Sequence, residues 1–343
     1  PSLWNSLQNE ESSSLKVVNQ IGGRINVVTV QNNIAYLGVG PRLRTLDVSD
    51  PENPAELGKS DILPGIVKQI AVTGEVGYVR ADKKNGFWIF DLSEPANPRI
   101  LSFFETEMET QYLRIRNGRL YLSTNNAVQV YSIKNALLPE PIGALPLQYE
   151  LLPNSNYIFT INSIKNESTT LRIADDANLN QIEEIAILQL DKELSFVDFQ
   201  AGKFYFVDYG TWPPWALVEV TQTALNVEIN ELSLGLEPYK GYFSTQNEII
   251  HFVNNFSDAG SFSGGISIAV PFGSSSYRES SLHLGKRVYD LFIQGNLLFA
   301  TSGNTLTIAE IDESGELQKK SEWQSTGDVD WTATLANQYF MSS

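Results

Sequence analysis

Apolar and polar residues alternate along the chain in short runs. RINVVTVQ, IAYLGV and RLRTLDV follow one another from Arg24 to Val48, each separated by a polar or glycine-bearing turn. A period of two over four to eight residues, rich in Val, Ile, Leu, Tyr and Phe, is the pattern of half-buried β-strands. No stretch sustains the 3.6-residue period of a helix beyond about two turns. The pattern then repeats. VKQIAVTGEVGYVRADKKNGFWIFDLSEPANPRIL, from Val67 to Leu101, is a second version of Arg24 to Gly58. Tyr36 aligns with Tyr78, and Asp47 with Asp91.

Weaker copies continue the ladder. Their apolar markers are Tyr121, Phe159, Phe206, His251, Phe299 and Met341. The mean step is about 44 residues, inside the ~40–50 range of four-stranded propeller blades. Blade units are expected over residues 24–62, 63–106, 107–147, 148–191, 192–236, 237–285 and 286–326. The tail, 327–343, reads as the first two strands of a further unit. The head, 1–23, reads as the second half of one. The expectation is a single domain: an all-β, eight-bladed β-propeller of four-stranded antiparallel blades. Its ring is expected to close by N- and C-terminal strands sharing one blade.

The block after the third strand has a mechanical role. In TLDVSDPENP and IFDLSEPANP, Asp and Ser side chains bond nearby main-chain amides and proline fixes φ, so the strand ends and turns there. Asp47, Asp50, Asp91 and Asn97 are therefore read as structural. A repeat ending in this block, best seen in RLRTLDVSDPENP and GFWIFDLSEPANP, resembles the LVIVD repeat. That resemblance covers about a quarter of the chain and implies a β-propeller on a bacterial or archaeal surface or secreted protein. It brings no general set of catalytic residues with it.

Composition narrows the function. There are 24 Lys+Arg against 40 Asp+Glu, a formal charge of −16, with no basic run. Such a chain repels nucleic acid and anionic membranes. No apolar run is long enough to span a bilayer. The chain holds no Cys and 2 His, which excludes disulfides, thiolate sites and a multi-His metal centre. There is no phosphate-binding glycine loop and no H-E-x-x-H. His251 stands where other units carry Tyr or Phe and reads as a structural histidine, and His283 falls on an outer strand. No cofactor and no metal site are expected. The chain begins at Pro1, not Met, so a leader or anchor is expected to be missing from it. The expected location is extracellular, cell-surface or periplasmic.

Candidate binding residues gather on one face. In a propeller, the loops between the second and third strands share a face with the blade-to-blade connections, around a central channel. The loop DYGTWPPWALV, 208–218, presents Tyr209, Trp212 and Trp215, with Pro213-Pro214 to stiffen it. Packing of these Trp over the blade edge is the alternative reading. NNFSDAGSFSGG, 254–265, reads as a mobile loop able to act as a lid. Arg80, Asp82, Asn125, Tyr112, Asp290 and Trp331 are expected at the same channel mouth, with Asp198 and Asp330 as further acids. The expected function is a binding scaffold for a glycan, a peptide or an envelope protein. The alternative is a hydrolase or lyase with a carboxylate site, with or without a metal's assistance, at the channel mouth.

Overall fold

The computed structural model describes residues 22–107, 109–124, 127–146, 149–151, 158–164, 167–175, 178–179, 183–191, 194–200, 203–208, 216–222, 227–233, 243–246, 249–258, 261–272, 276–325, 333–335 and 338–340. Every described strand is antiparallel to its neighbours. The strands form four-stranded meanders over 25–59, 67–105, 110–146, 149–190, 195–233, 243–283 and 288–324, with a two-stranded sheet at 333–340. We call the four-stranded ones the first to the seventh sheet. Period-two alternation explains them. In Ile34–Val39 and Arg42–Asp47 nearly every central residue is buried, because both faces of these strands meet another sheet. The outermost strand Ala55–Lys59 is exposed along most of its length.

The turn block works as its composition predicts. The Asp47 carboxylate accepts the Ser49 N–H at 2.8 Å, and Asp91 accepts the Ser93 N–H at 3.0 Å and its hydroxyl at 2.6 Å. Asp312 does the same with Ser314 in the seventh sheet. These bonds favour the charged form and hold Asp91 and Asp312 down to about 2.

The folded turn then latches onto the preceding sheet. The Thr45 hydroxyl donates to the Pro95 carbonyl, the Tyr78 hydroxyl to Ala136 O at 2.6 Å, and an Arg278 N–H to Ser314 O at 3.1 Å. Each acceptor lies in the turn of the next sheet along the chain. Contact is close enough at the first of these seams that a Cβ on Gly58 would lie 2.0 Å from the Ala96 carbonyl oxygen.

A second device ties the sheets at their innermost strands. A β-bulge interrupts pairing near the start of Ile25–Gln31, Val67–Thr73, Ser195–Gln200 and Val288–Gln294. A bulge re-aims the side chain that follows it. In the second sheet that residue is Gln69, whose Oε1 accepts the Leu113 N–H of the third sheet at 2.7 Å. In the seventh it is Asp290, whose Oδ2 accepts the Val28 N–H of the first sheet at 2.9 Å.

The first and seventh sheets thus meet directly. The Ile25 N–H donates to Gly303 O at 2.8 Å, and the Ser321 hydroxyl reaches the Pro51 carbonyl at 2.6 Å, the same latch used elsewhere. Ile25, Val28, Leu37 and Val39 share one core cluster with Phe299, Leu306 and Ile308. Fully burying a side chain of this size is worth about 1.5–3 kcal/mol. Among the described residues no further sheet stands between these two, where an eighth blade shared by the chain ends is expected from the sequence. The tail forms the small sheet of Ala333–Leu335 and Gln338–Phe340, and residues 1–21 lie outside those described.

Two outcomes follow from the seams. Gly58→Ala forces a methyl group into backbone that has no room for it, and overpacking of this kind costs ~1–3 kcal/mol; a chemical-denaturation midpoint equal to wild type would show that the turn is not packed as described. Burial pushes Asp290 up to about 6, against the opposing pull of the Val28 and Leu291 N–H groups and Arg114. A carboxyl raised in the folded state contributes stability that is full below about pH 4 and is lost as pH rises through about 6. Asp290→Asn keeps an acceptor for Val28 without the charge. The variant is expected to lack this loss, so that it gains up to about 2–3 kcal/mol on wild type between pH 4 and 7. Parallel stability curves for the two proteins over that range would overturn the assignment.

Candidate functional site

The innermost strands and the ends of the second strands bring the described candidate residues to one end of the sheets. They do not form one cluster there. Arg80 and Tyr112 meet at the seam between the second and third sheets, Asp82 lies at the connection from the first sheet to the second, and Asp290 at the seam between the seventh and the first.

Arg80 sits near the end of Val76–Ala81, half-buried. Its Nε donates to Gln69 Oε1 at 3.3 Å, and a terminal N–H reaches the Thr110 carbonyl at 3.1 Å. Gln69 in turn accepts from Leu113. One guanidinium therefore holds both sides of the seam. Burial disfavours its charge and lowers its pKa, while Asp82, Glu109 and Tyr112 oppose that effect.

Asp82 follows directly after that strand. Its Oδ1 accepts the Ile66 N–H at 2.7 Å, and its Oδ2 lies 3.7 Å from Lys68 Nζ. The connection from the first sheet passes so close that a Cβ on Gly65 would lie 1.8 Å from the Asp82 carbonyl oxygen. Asp82 therefore shapes the connection. The ion pair with Lys68 is half-exposed and contributes little.

Tyr112 differs from these. It lies on the innermost strand Thr110–Arg116, opposite Ser123, and is 57% exposed. A large aromatic side chain is thus held on rigid backbone with its ring in solvent, next to the charge of Arg80.

Tyr209, Trp212, Trp215, Asn125 and Trp331 lie outside the described residues, as does Asp330. The segment 254–265, expected to be a mobile loop, is paired instead. Strands Ile249–Asp258 and Ser261–Phe272 run together as far as Asp258 opposite Ser261. Main-chain hydrogen bonds need no apolar side chain, so a polar Asn/Ser/Gly stretch extends the hairpin beyond its sheet. His251 is 1% exposed and belongs to the interior, and His283 ends an outermost strand in an exposed position. No group of three His, Cys, Asp or Glu suited to a metal ion occurs among the described residues.

Gln69 and Thr110 complete the Arg80 network, and neither was among the candidates. A signal for Gln69 was present: V-K-Q, V-Y-D and F-V-D put a polar residue at the same place in three innermost strands. Nothing in the sequence marked the Thr110 carbonyl, because a main-chain acceptor has no residue signature.

In structure the chain resembles several solved β-propeller proteins at low identity. Hsv2 from Kluyveromyces marxianus is 10% identical, with 89% of this chain and 99% of that one covered and a TM-score of 0.53. A putative 6-phosphogluconolactonase from Bacteroides fragilis is 10% identical, with 90% and 97% covered and a TM-score of 0.53. A functionally unknown protein from Desulfotomaculum acetoxidans is 14% identical, with 88% and 94% covered and a TM-score of 0.56. At such identities the likeness extends to the fold and no further. No curated protein matches in sequence. The family model of the LVIVD repeat matches residues 22–61 and 64–106, so the first two sheets of this β-propeller scaffold are a pair of LVIVD repeats.

Proposed function

We propose that this chain is a secreted or cell-surface β-propeller that serves as a binding scaffold. Its ligand is a glycan, a peptide or an envelope protein, met on the face where the second-to-third strand loops and the sheet-to-sheet connections gather. The observation that carries this reading is Tyr112, an exposed aromatic on an innermost strand beside a half-buried, immobilised Arg80. A ring presented on fixed backbone loses little entropy on binding, and one beside a guanidinium suits ligands with both apolar and polar faces. The sequence expectation that puts Tyr209, Trp212 and Trp215 on the same face is part of this proposal.

The hydrolase or lyase alternative needs two carboxylates near one reacting centre. Among the described residues, Asp82 and Asp290 each accept a main-chain N–H, and they do so at different seams. That division favours the scaffold reading.

We also infer that the ring is complete with seven blades, the first resting on the seventh. The support is the repetition of both seam devices, the turn latch and the bulge-directed acceptor, between those two sheets.

Two measurements test these readings. Tyr112→Ala combined with Trp212→Ala and Trp215→Ala is expected to lower binding at least tenfold on a glycan and peptide array; undiminished binding removes the site. Deleting 327–343 is expected to leave the melting transition cooperative, with its midpoint close to that of the parent. Collapse of the transition would mean that the tail completes the ring.

A further inference from the structure

The seventh sheet holds a cavity of about 340 Å³. Strand register shows why. Thr307 pairs with Ala300, the place held by Arg44 against Leu37 in the first sheet, Trp88 against Val79 in the second and Gln129 against Leu122 in the third. In the first sheet Arg44 fills this place so well that it is 5% exposed. Thr307 is much smaller than these three, and space opens where their side chains would lie. The sixth sheet also has a small residue there, Ser267 against Phe252, but its hydroxyl is bonded to Ser281 at 2.8 Å.

The walls of this space are hydrogen-bonding groups. Directly paired residues share a face of the sheet, so Ser302, Thr305 and Thr307 present three hydroxyls to one side. Asn304 and Gln324 add amides, and Lys286 and Glu322 supply one charge of each sign. Leu284 is the one aliphatic wall. Ser302 is the telling residue. It is 2% exposed, and its hydroxyl has no hydrogen-bond partner. Its counterparts are Val39, Ala81 and Thr124, two of them apolar and the third bonded to the Ala127 carbonyl. A buried hydroxyl without a partner costs ~1–3 kcal/mol, and it lines a cavity large enough to supply that partner.

We propose that this cavity is a binding site for a small, neutral, polyhydroxylated molecule, a monosaccharide or an alditol. Hydroxyls and amides both donate and accept, which suits a ligand made of hydroxyl groups. The paired charges leave no net attraction for a cation or an anion. No aromatic ring lines the walls to stack with a flat ligand. The volume is at the lower end of the ~300–1,000 Å³ range of small-molecule pockets. The site opens on the face of the second-to-third strand turns and sheet-to-sheet connections, at the seventh sheet; Tyr112 is not among its walls, and the site does not depend on that residue.

The test uses the full chain with a panel of hexoses, pentoses and alditols, read by saturation-transfer NMR and then calorimetry. At least one panel member is expected to bind saturably. Ser302→Ala is expected to weaken it about tenfold, one hydrogen bond's worth. Thr307→Gln, which installs the residue of the third sheet, is expected to abolish it, while Tyr112→Ala leaves it unchanged. If Thr307→Gln does not fold, Ser302→Ala decides alone. Absence of saturable binding to every panel member means a water-filled cavity and overturns the proposal. Wild-type affinity in a folded Ser302→Ala variant also overturns it. Loss of binding in Tyr112→Ala would move the polyol to the seam of the second and third sheets, ending this proposal while supporting the scaffold reading.

Discussion

The structure depends on how one flat sheet is fastened to the next. A four-stranded meander satisfies its own ladder but leaves two apolar faces that have to be covered. Here each face is covered by the neighbouring sheet, and two polar devices fix the relative position. At the outer end, a turn capped by Asp, Asn or Ser side chains lays a carbonyl against a hydroxyl or guanidinium of the preceding sheet. At the inner end, a bulge turns a side-chain oxygen toward the main-chain N–H of the next innermost strand. Apolar contact supplies most of the energy, and the directional bonds supply the register.

The two inner-seam acceptors show how chemistry is chosen by surroundings. Gln69 is neutral, and Arg80 orders its amide. Asp290 performs the same task with a charge, in a place where burial pushes it up to about 6. Two main-chain N–H groups and Arg114 favour the charged form without cancelling the desolvation cost. A perturbed carboxyl at a channel is a usual mark of catalysis. At this seam the same mark arises from holding two sheets together. Structural ion and hydrogen-bond networks shift pKa values by the same physics that active sites use.

Much of the fold was legible because each strand's alternation is local and repeats. Asp47 and Asp91 were readable as turn-forming, since an Asx bond spans two residues of sequence. The channel-mouth group was legible only in part. Arg80, Asp82, Tyr112 and Asp290 do fall at strand ends on one side, as the register implies. Their separation among different seams was not readable, because it depends on which sheet faces which. The polar segment 254–265 read as a loop because it lacks apolar alternation, and main-chain pairing does not require any.

The sequence by itself determined the repeat, the strand count within each unit and the turn chemistry, because those rest on interactions spanning a few residues. Tertiary structure decided that the first sheet meets the seventh. Complementary apolar faces some 260 residues apart are joined by the Asp290–Val28 bond, with no intervening sheet among the described residues. It also decided where a side chain is too small for its place. Thr307 is an ordinary strand residue in the sequence, and it marks a cavity only when the register sets it beside Arg44, Trp88 and Gln129.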